Sequence, residues 1–91
     1  MTDQQHASHA SVAKRLRRAE GHLRSVVAMI EDGRPCLDLA QQLHAIERAV
    51  SEAKRVLIRD HIDHCLDGAM EQAGAKRRHA MEEFRQITKY L

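Results

Sequence analysis

Three side chains in this sequence have the chemistry and spacing of soft-metal donors: Cys36, His61 and Cys65. They lie in one stretch, CLDLAQQLHAIERAVSEAKRVLIRDHIDHCLD, which contains neither glycine nor proline and is preceded by Pro35. Within it Leu39, Leu43, Ile46, Val50, Ala53 and Leu57 recur at alternating steps of four and three. That spacing predicts one long helix over 36–67 with a coiled-coil-like seam. At about 100° per residue the two cysteines and His61 fall within about 40° of one another, on a stripe continuous with the seam.

Distance along the helix limits what this stripe can do. At 1.5 Å per residue Cys36 and His61 are about 37 Å apart, too far for one ion to touch both or for Cys36 and Cys65 of one chain to form a disulfide. His61 and Cys65 are one turn apart and can chelate together. Cys36 can complete their site only from a second, antiparallel copy, and twofold symmetry then generates two equivalent sites. Two thiolates and an imidazole suit Cu(I) in trigonal geometry; with an added donor they also suit Zn(II), Ni(II) or Co(II). His64, beside Cys65, is the nearest additional donor. The alternative is that the cysteines are small buried seam residues. Their shared stripe and the histidine one turn from Cys65 favour a metal site.

The elements that must position these residues are helical throughout. Residues 1–10 are polar and patternless, so a mobile tail is expected, with His6 and His9 solvated or, on a flexible arm, further nitrogen donors. A first helix is expected over 11–32, capped by Ser11 and ended by Gly33, with Val12, Leu16, Ala19, Leu23, Val26 and Ile30 as its seam. Gly21 inside it suggests a close helix approach or a kink. This helix carries Lys14, Arg15, Arg17, Arg18 and Arg24 against Glu20 before its last turn, a candidate surface for DNA phosphates. On the second helix Lys54, Arg55 and Arg59 alternate with Glu47, Glu52 and Asp60, the pattern of a salt-bridged surface. His44 and His64 sit on the shoulders of the seam and are expected to be partly buried. A break near Gly68–Gly74 leads to a third helix over 75–91, with Ala80, Phe84, Ile87 and Leu91 as its apolar face.

Ninety-one residues make one small domain, 11–91 after the tail, and Phe84 and Tyr90 are its only aromatics. Long helices with narrow aliphatic stripes bury them against other chains, so an obligate oligomer is expected. No phosphate loop, nucleophile motif or strand pattern is present, which argues against an enzyme. No apolar run approaches membrane-spanning length and the N-terminus lacks an export signal, so a cytoplasmic protein with free thiols is expected.

From KRLRRAEGHLRSV through RPC and QQLHAIERAV to DHIDHC, the chain resembles the copper-sensitive operon repressor (CsoR/RcnR) family of bacterial metal-sensing repressors. The resemblance implies a three-helix all-α protomer, an antiparallel dimer and a flat dimer-of-dimers homotetramer. It implies operator DNA binding without metal and release on Cu(I) binding, through Cys36 of one subunit and His61 and Cys65 of its neighbour. It also implies that Glu83, or Glu82, couples the ligand histidine to the third helix. Pro35 stands where copper sensors often carry a tyrosine, and Glu52 where they can carry a DNA-contacting arginine. His6, His9 and His64 resemble the extra donors of nickel- and cobalt-sensing relatives; other relatives respond to persulfide or formaldehyde through a cysteine such as Cys36.

Overall fold

The computed structural model describes residues 8–71 and 74–91, with side chains described over 8–64 and 74–91. Three helices follow one another: α1 (Ser8–Glu31), α2 (Cys36–Glu71) and α3 (Gly74–Ile87), the last closing in a 3-10 turn, Thr88–Tyr90. Helix α2 has 36 residues and is the element to which both others attach. At 1.5 Å per residue it is about 54 Å long, and the protomer's longest dimension is 59 Å.

The α1–α2 connection is as short as the sequence implied, and Gly33 makes it. At φ 75° it occupies the left-handed region that a side chain disfavours. Its N–H donates to Ile30 O (3.1 Å) and Arg34 N–H donates to Met29 O (3.1 Å), the paired bonds of a Schellman ending. Helix α2 begins directly after Pro35, whose carbonyl accepts from Leu39 N–H at 3.2 Å. Asp38 in its first turn suits the positive end of the helix dipole and lies 3.8 Å from Arg34.

Three boundaries differ from expectation. Helix α1 starts at Ser8, not Ser11, so the patternless tail is shorter than 1–10 and His9 is helical. The cause is tertiary: Ser8 Oγ donates to Asp60 Oδ2 at 2.7 Å and ties the first turn of α1 to α2. Helix α2 continues to Glu71, past Gly68; one internal glycine costs about 1 kcal/mol and does not by itself end a helix. Helix α3 tightens after Ile87, where Thr88 Oγ1 donates to Arg85 O at 2.7 Å. Gly21 serves no close approach, since a Cβ there would meet nothing within 4 Å. Gly21→Ala should therefore stabilise the metal-free, DNA-free protein by up to about 1 kcal/mol, read as a raised thermal midpoint; a lowered midpoint would reveal a neighbour that the protomer does not contain.

The seam is split in two. Val12, Ala19 and Val26 of α1 and Ile46, Ala53 and Ile58 of α2 are buried. Leu16, Leu23 and Ile30, the intervening seam residues of α1, are exposed, as are Leu43 and Val50 of α2. On α1 the smaller seam residues are thus buried and the larger ones exposed, whereas on α2 size does not sort them, since Ile46 and Ile58 are buried and Val50 is exposed. The protomer is a slab of 59 × 25 × 14 Å, barely thicker than one helix of about 10–12 Å. Its radius of gyration is 18.0 Å, where a compact chain of this length would have about 12 Å. It exposes 7149 Å², against about 5,400 Å² for a compact monomer of its mass. One chain therefore buries only a thin core between α1 and α2 and leaves many of its large apolar side chains exposed.

Candidate metal centre and nucleic-acid interface

The two ends of α2 hold the expected donors. Cys36 is its first residue, with an exposed side chain and a free thiol. His61 lies 25 residues on, and because α2 is unbroken between them the about 37 Å separation holds. Cys65 is on the same helix one turn beyond His61; its side chain, like all of His6, lies outside the described residues. Among the described residues of one chain, no three His, Cys, Asp or Glu side chains gather in a way that could hold a metal ion.

Among the expected donors whose side chains are described, His61 is the most enclosed. Its side chain is 23% exposed and its Nε2, which is buried, lies 3.9 Å from Glu83 Oε1 on α3. A carboxylate beside Nε2 favours the tautomer with the proton there, which leaves the Nδ1 lone pair available to a ligand. Glu82 points elsewhere. It accepts hydrogen bonds from Arg85 and Gln86 on its own helix, and these, the Arg85 guanidinium first, hold its carboxyl below the usual carboxylate range. Of the two adjacent acids, Glu83 is the one that meets the histidine.

His64 Nε2 lies 3.5 Å from Asp60 Oδ1, on the carboxylate that also accepts from Ser8. The start of α1 and the donor-bearing end of α2 are therefore held by one acid. His64 is more exposed than expected, and so is His44, whose ring is 70% exposed and 3.8 Å from Glu47. The expectation of partial burial fails because the protomer covers only one flank of α2. His9 is exposed in the first turn of α1. His22 has no role legible from its spacing, yet its Nε2 and Gln42 Oε1 are 2.6 Å apart and link α1 to α2. Nothing within α1 alone marks His22 for this.

Lys14, Arg15, Arg17 and Arg18 are all exposed on α1. Arg24 is partly neutralised by Glu20 at 3.9 Å; the other four make no ion pair among the described residues. On α2, Arg55 pairs with Glu52 at 3.8 Å, as its charge pattern suggested, whereas Asp60 is taken by Ser8 and His64. No helix among the described residues is long and apolar enough to cross a membrane.

A family model described as metal-sensitive transcriptional repressor matches residues 8–90. The copper-sensing transcriptional repressor RicR of Mycobacterium tuberculosis is 37% identical over 62 residues, covering 68% of this chain and 65% of RicR. The copper-sensing transcriptional repressor CsoR of Bacillus subtilis is 29% identical over 80 residues, covering 86% of this chain and 79% of that protein. Among solved structures, the nickel-responsive transcriptional regulator InrS matches with a TM-score of 0.80 and 26% identity, over 93% of each chain. The chain thus spans less than two thirds of the length of RicR, at 65%, and 79% and 93% of the lengths of the other two. Among the described residues the protein is all-α, with three helices, and carries Cys36 at one end of its longest helix and His61 and Cys65 toward the other. The chain belongs to the metal-sensitive transcriptional repressor family, as its sequence resemblance implied.

Proposed function

We propose that this protein is a cytoplasmic Cu(I)-responsive repressor that binds operator DNA when metal-free and releases it when Cu(I) is bound. The DNA-binding surface is the basic side of α1: Arg15 and Arg18, assisted by Lys14 and Arg17. Cu(I) is held by Cys36 of one chain with His61 and Cys65 of an antiparallel partner, in a dimer that pairs into a flat homotetramer. The observation that supports this most is the unbroken α2, which keeps Cys36 a helix length from His61 and so leaves each donor set for two chains to complete. The outward row of Leu16, Leu23, Ile30, Leu43 and Val50 is an apolar surface suited to such pairing.

When bound, Cu(I) supplies a charge centre that favours soft, low-coordinate donors. The protein's part is to orient those donors and to relay their position. Glu83 holds the His61 ring from α3, so a shift of His61 into a donor set with Cys36 moves α3 relative to α2. Release follows only if the metal-bound shape has the lower DNA affinity. Glu83→Gln should keep Cu(I) binding within about 10–100-fold of the parent but lose most of the change in DNA affinity on metal addition. Full release by this variant in an anisotropy titration would remove Glu83 from the relay.

A second reading is a Ni(II) or Co(II) sensor that uses additional histidines. The likeness to InrS favours it, as does His64, part-exposed three residues beyond His61. Anaerobic titration of the protein on a labelled duplex from its own upstream region separates the two. Cu(I) should release the DNA at the lowest free concentration; release by Ni(II) alone would select the second reading, and a metal-free protein that ignores the duplex would end both.

A further inference from the structure

Two adjacent residues of α2 reach two different helices. His61 lies 3.9 Å from Glu83 of α3, and Asp60, the residue before it, accepts from Ser8 Oγ of α1 at 2.7 Å. The Asp60 side chain is only 21% exposed, and its other oxygen lies 3.5 Å from His64 Nε2. Helix α1 runs unbroken from Ser8 to Glu31. Farther along it is fixed to α2 by the His22–Gln42 contact at 2.6 Å and by the turn at Gly33. The basic residues from Lys14 to Arg18 lie between these fixed points and Ser8, about 9–15 Å along the helix from it. A helix held at one end and moved at the other tilts as a rod, so a displacement of Ser8 swings all four cations together. Helix α3 packs chiefly against α2, so its own movement does not reach them.

We propose that Asp60 is a positioning residue for the metal response: through the Ser8 hydroxyl it carries movement of the donor-bearing end of α2 into the first turn of α1. The proposal rests on the repressor reading above and supplies its passage from the metal donors to the basic side of α1. Glu83 and Asp60 act in series. Glu83 fixes the ring of His61 from α3, and Asp60, one residue away on the same backbone, passes the resulting shift to α1. A carboxylate that accepts from a hydroxyl makes a short, directional bond, suited to transmitting a small displacement. Without it the start of α1 is joined to α2 through apolar packing such as that of Val12, which can slide.

The test measures duplex affinity of the full chain with and without saturating Cu(I), in the parent and in Ser8→Ala, Ser8→Thr and Asp60→Ala variants. The ratio of the two affinities, commonly about 5–150-fold in coupled systems, should fall to about twofold or less in Ser8→Ala. The same variant should keep parental helix content, oligomeric state, metal-free DNA affinity and Cu(I) affinity without DNA. Ser8→Thr, which retains the hydroxyl, should keep the parental ratio. Asp60→Ala should lose as much of the ratio as Ser8→Ala, and the double variant no more than either, because both break one link. A parental ratio in Ser8→Ala, even with both affinities weakened equally, would overturn the relay and leave the repressor reading standing. So would losses that add in the double variant. A parent that binds no duplex, or that keeps it in Cu(I), would overturn the two together.

Discussion

Cys36→Ala abolishes tight Cu(I) binding and leaves the affinity of the metal-free protein for DNA within about twofold of the parent. The two halves of this expectation have separate causes. In the proposed site Cys36 is one of three protein donors, so its loss should exceed the roughly 10–100-fold that removal of an outer partner costs. Its side chain is exposed at the first position of α2, away from the buried α1–α2 contact, so removal opens no cavity in the protomer. The basic side of α1 is untouched. Competition against a strong Cu(I) chelator measures the first half and duplex anisotropy the second. A variant that still competes for Cu(I) would place the site elsewhere.

Leu23→Asp has a larger and less selective effect: it should yield a monomer of reduced helicity that binds neither metal nor DNA tightly. Leu23 is 45% exposed in the protomer, midway between Leu16 and Ile30 on the outward row. A charge there costs the lone chain little. In a paired assembly each copy must bury an uncompensated carboxylate, at a cost of several kcal/mol, and symmetry repeats it. Val26, 2% exposed, would be a poor choice for this experiment because its replacement damages the protomer itself. Sedimentation equilibrium distinguishes the outcomes. A Leu23→Asp chain that keeps the parent's oligomeric state would remove the outward row from the interface.

What could be read in the sequence was local or periodic. The alternation of apolar residues indicated the helices, and Gly33 followed by Pro35 indicated the turn between the first two. The division of the seam was not legible, because one period of threes and fours describes Val12, Ala19 and Val26 as well as it describes Leu16, Leu23 and Ile30. On α1 residue size gives the clue in retrospect, Val12, Ala19 and Val26 being buried and Leu16, Leu23 and Ile30 exposed; on α2 size gives none, since Ile46 and Ile58 are buried while Val50 is exposed. Start and end errors also have tertiary causes. Ser8 begins α1 because it meets Asp60, 52 residues away, and no local cap signal reports that.

The candidate site divides in the same manner. Residue type and helical spacing sufficed to nominate Cys36, His61 and Cys65 and to require a second chain. They did not choose between Glu82 and Glu83, since that depends on how α3 is rotated against α2. In the structure Glu83 lies beside His61 while Glu82 is committed to Arg85 and Gln86. The Ser8–Asp60 contact likewise arises from packing between elements.

Subunit mixing tests the central claim most directly. Cys36→Ala and Cys65→Ala chains, each unable to hold Cu(I) tightly, are co-folded and the mixed species isolated by differential tags. If one chain's Cys36 works with the other's His61 and Cys65, every mixed dimer regains one tight Cu(I) site, because one end of the pair is wholly native. If mixing restores nothing while a mixed dimer demonstrably forms, the thiols at the two ends of α2 do not serve a common ion.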